Sequence, residues 1–393
     1  MKKILIIGAS TLQLPAIIKA KKLGLYVVVA DYDSNAVGKN YADEYYNVST
    51  VDIDGIVNLA KQVKPDGVMT LATDMPMRSV AAATTELGLP GISLETAIKA
   101  TDKGEMRKTF NENGIESPWF YITRNNKEFE NSVNNLTFPC IMKPTDNSGS
   151  RGVTIVNKKE DLNNAYMYSK NCSRNGCVII EEYMSGAEVS VEVIVVDGKT
   201  SVLAVTDKLT TGAPHFVEIG HSQQSQLGDE NIVKIKDLAC RAVKAIGIIC
   251  GPAHVEIMLT NDGPKIVELG ARMGGDCITT HLVPLSTGID MVKATIELSI
   301  GVTPDITPKF NKGSAIRYFY TKSGLIKSID GVNTVRRNKS IKEIVIDKNV
   351  GDQVNKIHSS SDRTGFVIAQ DINSEMAIAI CENALKTINI EVD

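Results

Sequence analysis

A lysine that closes an apolar strand and opens a loop of small residues can bring a positive charge and several backbone N–H groups to a phosphate. The segment IMKPTDNSGSRGV, residues 141 to 153, has that form. Lys143 ends the strand, and Ser148, Gly149, Ser150 and Gly152 allow the backbone to approach phosphate oxygens. The loop lies between strands and lacks a GKS or GKT ending, so it is not a Walker-type P-loop. A second constellation is HVEIMLTNDGPKIVELGARMGG, where Glu256 and Glu268 fall on the two arms of a predicted hairpin. Two carboxylates converging on a rigid sheet, with phosphates completing the shell, suit Mg²⁺. Arg272, four residues after Glu268, is placed to cover the charge of a transferring phosphoryl group. A structural salt bridge is the competing reading of the pair. In VIIEEYMSGAEVSVEV the acids Glu181 and Glu182 end a strand and an extended connector follows. Such a connector offers backbone groups to an adenine edge, and Glu188 is suited to ribose hydroxyls. Glu218, His221 and Gln223 in HFVEIGHSQQSQLG are polar enough to bind an amino or carboxyl group, with His221 a candidate base. Arg317 in GSAIRYFY is a candidate clamp for a carboxylate, against the alternative of a surface ion pair.

The elements that must hold these residues follow from hydrophobic periodicity. KILIIG, PAIIKAKKLG and YVVVAD read as strand, helix and strand, and the pattern continues through helices near 52–64 and 76–88. Residues 1–92 thus form a Rossmann-like α/β domain. Its first turn, GASTLQ, precedes a helix, and Asp31 ends the second strand where a ribose-binding acid would stand. A dinucleotide fingerprint needs glycines where this chain has Ser10 and Gln13, so NAD is disfavoured. Residues 93–115 read as a helical linker starting at a Ser93 cap. In 116–185 short strands alternate with helices. In 186–309 the strands lengthen and alternate: AEVSVEVIVVDG and KTSVLAVTDKL flank an Asp197-Gly198 turn, marking an antiparallel hairpin with one wet face. Residues 310–393 read as a small α+β lobe.

Composition narrows the function. The chain has 393 residues, 43% hydrophobic and 23% charged, enough for more than one core. A formal net charge of −3 supplies no basic field for non-specific nucleic-acid binding. The apolar runs are strand-sized, so no membrane partner is expected. Two lysines before ILIIG resemble a signal peptide, but the short run and the absence of a cleavage site favour a first strand. Seven cysteines, an odd number, suit free thiols and a cytoplasmic location. The histidines and cysteines show no zinc spacing.

In this order the motifs resemble the ATP-grasp superfamily over about residues 1–300. The resemblance implies a Rossmann-like domain, a two-subdomain ATP-grasp fold at 116–185 and 186–309, and a C-terminal α+β lobe, so α/β and α+β together. It implies that Lys103 and Lys143 contact phosphates, that Ser148, Gly149, Ser150 and Gly152 form the flap, and that Glu181, Glu182, Tyr183 and Met184 hold adenine. Glu188 would bind ribose, Glu256 and Glu268 would ligate metal, and Arg272 would steady an acyl phosphate. ATP and two Mg²⁺ ions are the implied cofactors, Mn²⁺ being the alternative metal. The family often carries E-x-N-x-R at the second metal position, whereas this chain has Gly270 in place of the asparagine. The implied activity is a carboxylate–amine ligase with an amino acid as one substrate, working as a homodimer. The alternatives are a purine-pathway ligase of phosphoribosylglycinamide synthetase type and a non-catalytic nucleotide-binding regulator.

Overall fold

The computed structural model describes residues 1–147, 151–213 and 215–393. The chain begins with β1 (Lys3–Ile7), α1 (Leu14–Lys22), β2 (Tyr26–Asp31), β3 (Glu44–Asn47), α2 (Ile53–Val63), β4 (Gly67–Met69) and α3 (Met77–Leu87). Their strands form a parallel sheet in the order β3-β2-β1-β4. The apolar runs foretell β1, β2 and β4. Strand β3 has the sequence EYYN, with no apolar run, and forms because β2 offers it a ladder. The turn after β1 is filled by its own side chains. Gln13, only 2% exposed, donates to the Leu71 carbonyl at 2.7 Å, and Asp31 accepts from the Ala9 N–H at 2.7 Å.

Two short helices follow, α4 (Leu94–Thr101) and α5 (Lys103–Glu112), each opened by a capping side chain. Ser93 accepts from the Thr96 N–H, and Asp102 accepts from the N–H groups of Gly104 and Glu105. A small antiparallel sheet comes next, from β5 (Phe120–Thr123), β6 (Cys140–Pro144), β7 (Thr154–Val156) and β8 (Val178–Glu182) in the order β5-β8-β6-β7. Helices α6 (Asn126–Val133) and α7 (Leu162–Cys172) accompany it, with Phe129 and Tyr166 stacked at 4.1 Å in its core.

The long strands are β9 (Ala187–Val196), β10 (Lys199–Thr210), β11 (Glu218–Gln223), β12 (Gly251–Thr260) and β13 (Gly263–Gly270), with α8 (Asp229–Ile246) between β11 and β12. Asp197 and Gly198 both have positive φ, +49° and +75°, as the tight turn between β9 and β10 requires. Then come α9 (Val283–Thr287), α10 (Met291–Ser299), β14 (Gly313–Phe319), β15 (Gly324–Asp330), α11 (Val332–Val335), β16 (Ile341–Ile346), β17 (Gln353–Val354), β18 (Gly365–Asp371), α12 (Ser374–Thr387) and β19 (Asn389–Val392). The large sheet has the order β13-β12-β9-β10-β11-β14-β18-β16, so strands after residue 310 extend it; β15, β17 and β19 make a separate small sheet.

Alternation divides the large sheet into two unlike faces. Val189, Val191, Val193, Ala253, Val255 and Ile257 turn one way and pack with Ile235, Leu238, Ala242 and Ile246 of α8. The register places Glu188, Ser190, Glu192, Glu256, Glu268, Lys208 and His221 on the other face. Ile194, further along that second face, shares a core with Ile4, Ile6, Met69 and Leu71 of the first domain and with Met291 and Ile296 of α10. The first domain therefore docks beside the polar residues. Part of that contact is backbone against backbone: a Cβ on Gly67 would collide with the Ser299 carbonyl oxygen. Gly67→Ala is expected to cost about 1–3 kcal/mol of stability, the usual range for overpacking, read as a lowered unfolding midpoint.

Candidate active site

At one end of the polar face Glu256 and Glu268 are direct partners across β12 and β13. Each carboxylate meets cations of this chain. Lys103, at the start of α5, holds Glu268 Oε1 at 2.7 Å, and Lys208 of β10 lies 3.4 Å from Glu256 Oε2 and 2.6 Å from Glu188 Oε1. His254 places Nε2 3.4 Å from Glu256 Oε1 and Nδ1 2.7 Å from Glu192 Oε1. Burial alone would push the His254 pKa down, but the adjoining Glu192 carboxylate wins and raises it to about 9. Glu256 is the opposite case. Burial works against its charge, yet Lys208 and His254 hold its pKa well below the usual carboxylate range. Burial also raises Glu188, against the lowering effect of Lys208.

Arg272 leaves β13 and turns toward the first domain. Its Nε and Nη2 fork onto both oxygens of Asp74, at 2.9 and 3.0 Å, and Nη1 donates to the Met273 carbonyl at 3.2 Å. A guanidinium has five N–H donors, so these bonds leave donors for a ligand while fixing the group's plane. Burial opposes its charge and Asp74 more than restores it, raising the pKa. Asp74 follows β4, at the carboxyl edge of a parallel sheet, where ligands of open α/β sheets bind. An acid just past an apolar strand of a parallel sheet is the sequence pattern that Asp74 fits, although nothing near it in sequence points to Arg272.

Lys143 sits across the cleft on β6 of the small sheet. Lys143 places Nζ 2.6 Å from Glu181 Oε2, and Glu181 Oε1 lies 2.8 Å from Nε of Arg107, a residue of α5 that is 1% exposed. Burial depresses the Lys143 pKa, with Glu181 opposing and Arg107 and Lys103 adding to the shift. The Glu181 carboxylate is therefore occupied inside the protein, and its backbone is in the middle of the ladder, between β5 and β6. Glu182 bonds through both oxygens to Lys265, each at 2.9 Å. Of the stretch 181–184, Tyr183 and Met184 lie past the end of β8. Gly152 has φ of +81°, and a Cβ there would lie 2.6 Å from the Cys172 side chain and 3.0 Å from the Pro144 ring, so no larger residue fits without a shift. Ser148, Gly149 and Ser150 fall outside the described residues.

At the far end of the polar face His221 opposes Lys208 in the ladder and contacts Asp276 at 3.4 Å. Asp276 also receives Arg363 at 3.1 and 3.2 Å, and the Arg363 guanidinium lies 3.9 Å from the centre of the Tyr318 ring. Burial would raise the Asp276 pKa, but His221 and Arg363 drive it far below the usual range. Asp276 and Cys277 both have positive φ, +50° and +61°, unusual for residues with side chains and a sign of a conformation imposed by its surroundings. Glu218 belongs to the same strand as His221. Two candidates do not join this group. Gln223 is fully buried, its amide donating to Thr206 and accepting from Ser286, both at 2.8 Å, so it serves the core. Arg317 alternates with Tyr318 on β14 and so faces away, toward Glu382 of α12 at 3.6 Å, with Nη1 donating to the His221 carbonyl. The arginine on the His221 side is Arg363, from the last lobe.

Among the described residues no cluster of three or more His, Cys, Asp or Glu side chains is ready to hold a metal. Glu256 and Glu268 supply a two-carboxylate part of a shell, the hard-oxygen chemistry that Mg²⁺ takes when phosphates provide the rest, and so they fit that ion. No helix of the described chain is long and apolar enough to cross a membrane.

Residues 136–280 match the ATP-grasp domain, and residues 317–393 match the L-amino acid ligase C-terminal domain 2. Alanine–anticapsin ligase of Bacillus subtilis is 27% identical over 269 residues, covering 63% of this chain and 56% of that protein, so the match spans just over half of the relative's length. The crystal structure of an L-amino acid ligase from Bacillus licheniformis superposes with a TM-score of 0.85 at 23% identity, covering 100% of this chain and 99% of that one. Phosphoribosylglycinamide synthetase from Anaerococcus prevotii superposes with a TM-score of 0.82 at 26% identity, with 100% of both chains covered. With Lys143, Glu256, Glu268 and Arg272 gathered on one cleft between two sheets, the chain carries an ATP-grasp domain at 136–280 followed by an L-amino acid ligase C-terminal domain at 317–393.

Proposed function

We propose that the protein joins a carboxylate to an amine at the expense of ATP, with an amino acid as one substrate, releasing ADP and phosphate. The observation that carries this reading is the Glu256–Glu268 pair, set on a rigid hairpin between Lys103 and Lys208 and next to Arg272. A protein that only bound nucleotide would have no use for two carboxylates and a guanidinium at the phosphate end. The match of residues 317–393 favours an amino acid over a phosphoribosylamine. The likeness to phosphoribosylglycinamide synthetase supports that second reading.

In this reading Lys143 and Lys103 hold the phosphates, and Tyr183 and Met184 hold adenine. Glu188 receives the ribose, and Glu256 and Glu268 hold Mg²⁺, or Mn²⁺ in its place. The metal, when bound, neutralises phosphate charge as the terminal phosphoryl group is transferred. Arg272, its plane set by Asp74, stabilises the charge on the substrate carboxylate as it takes the phosphoryl group. The amine then attacks the acyl phosphate, and phosphate leaves. His221 stands with Glu218 on the acceptor side and is the candidate to take the amine's proton. The glycine-rich flap at 146–152 excludes water, which would otherwise hydrolyse the acyl phosphate. The same likeness supports a homodimer acting in the cytoplasm, where the free cysteines would remain reduced.

The direct test is ADP release with Mg-ATP against a panel of amino acids, alone and in pairs, with phosphoribosylamine as the competing acceptor. Amino-acid-dependent release is expected, and no release with any acceptor would overturn the reading. Adding a chelator should abolish turnover, and excess Mg²⁺ should restore it. Glu268→Gln should lower turnover by about tenfold to a hundredfold and raise the Mg²⁺ concentration needed for half-maximal rate. Asp74→Ala should lower kcat by about tenfold or more while leaving KM for ATP little changed, because it frees Arg272 to leave its plane without touching the nucleotide.

A further inference from the structure

Lysine is a poor choice for holding a charge at a fixed point, since its stem has several free torsions and its ammonium is easily neutralised when buried. Lys143 is buried all the same, its side chain 10% exposed. What fixes it is Glu181, one strand over, itself only 3% exposed. A lone pair of this kind would be electrically closed and would offer a phosphate little. Here the second Glu181 oxygen is shared with Arg107, so one carboxylate answers two cations and the group keeps a net positive charge.

Arg107 also reaches the other side of the cleft. Its Nη2 donates to the Val267 carbonyl at 2.5 Å, the residue before Glu268. One turn earlier on α5, Lys103 holds Glu268 Oε1 and donates to the Asn147 carbonyl at 3.0 Å, while its N–H donates to the Thr145 carbonyl at 2.9 Å. Side chains four apart share a helix face, so α5 carries both links. Helix α5 therefore ties the strand that carries Lys143 to the strand that carries Glu268. A guanidinium can face an ion-pair partner on one sheet with its Nε edge while Nη2 donates to a carbonyl on the other, which a single ammonium in the same place cannot do in one plane.

We propose that Arg107 is a positioning residue for the nucleotide: acting through Glu181, it holds the Lys143 ammonium at the phosphate site in register with Glu268. The proposal rests on the reading of Lys143 as a phosphate ligand. The test measures calorimetric binding of the non-hydrolysable β,γ-methylene analogue of ATP with Mg²⁺ present and no acceptor, alongside the unfolding midpoint of the free protein. Arg107→Met should weaken binding by about tenfold to a hundredfold, the scale of one charge-assisted contact, and Arg107→Lys should restore part of the loss. In the double variant Arg107→Met with Lys143→Met, binding should be no weaker than with Lys143→Met alone, because both act on one contact. If Arg107→Met does not fold, Glu181→Gln breaks the same link, and the same non-additivity with Lys143→Met is expected. Unchanged binding in Arg107→Met or Glu181→Gln, or losses that multiply in the double variant, would overturn the proposal while leaving the phosphate role of Lys143 intact. Unchanged binding in Lys143→Met would remove that role, and the proposal with it.

Discussion

Charge taken out of water must be answered by opposite charge close by, and the cleft is organised around that constraint. Lys208 stands between Glu188 and Glu256, Lys103 is held by Glu268, Lys143 and Arg107 share Glu181, and Arg272 forks onto Asp74. The folded chain is thus tolerable before any ligand arrives. Triphosphate and metal then enter by exchange of partners: an anion takes up the lysines as a cation takes up the glutamates. Desolvation of these groups is met largely during folding, which leaves less to be met at binding.

The sheet makes such exchange precise in space. Neighbouring strands of the large sheet lay carboxylates, lysine and histidine along one face at the spacing of the ladder, while the reverse face is sealed by α8. Groups on adjacent strands cannot drift apart without breaking backbone hydrogen bonds. Glu256 with Glu268, Glu188 and His221 are therefore held at fixed intervals, the kind of preorganisation on which electrostatic stabilisation of a transferring group depends.

Lys143, Glu268 and Arg272 stood out as candidates because each lies at or near a strand end or a glycine, and Glu256 because it falls on the facing arm of the same hairpin. Their partners did not. Asp74 and Arg272 are 198 residues apart, Lys208 becomes a partner of Glu256 only through the register of three strands, and Arg363 arrives from the last lobe. Gln223 and Arg317 stand apart from the group for two different reasons. Gln223 shares the face of His221 but is covered there by Ser286 of α9, whereas Arg317 alternates onto the opposite face, and neither helix contact nor face can be read from the strand alone. Strand β3 escaped notice because its two adjacent tyrosines, flanked by Glu44 and Asn47, lack the apolar run of a central strand.

The place of β14, β18 and β16 has a wider bearing. They continue the same hydrogen-bonded ladder that carries Glu256 and Glu268, and through Tyr318 and Arg363 the last part of the chain reaches Asp276 and its partner His221. The C-terminal segment is therefore not a detachable module. Removing it would strip β11 of a neighbour and leave a raw edge inside the catalytic layer, whereas exchanging side chains along it would retune what the cleft accepts. Diversification of this architecture is thus channelled toward substitution within the segment and away from its loss.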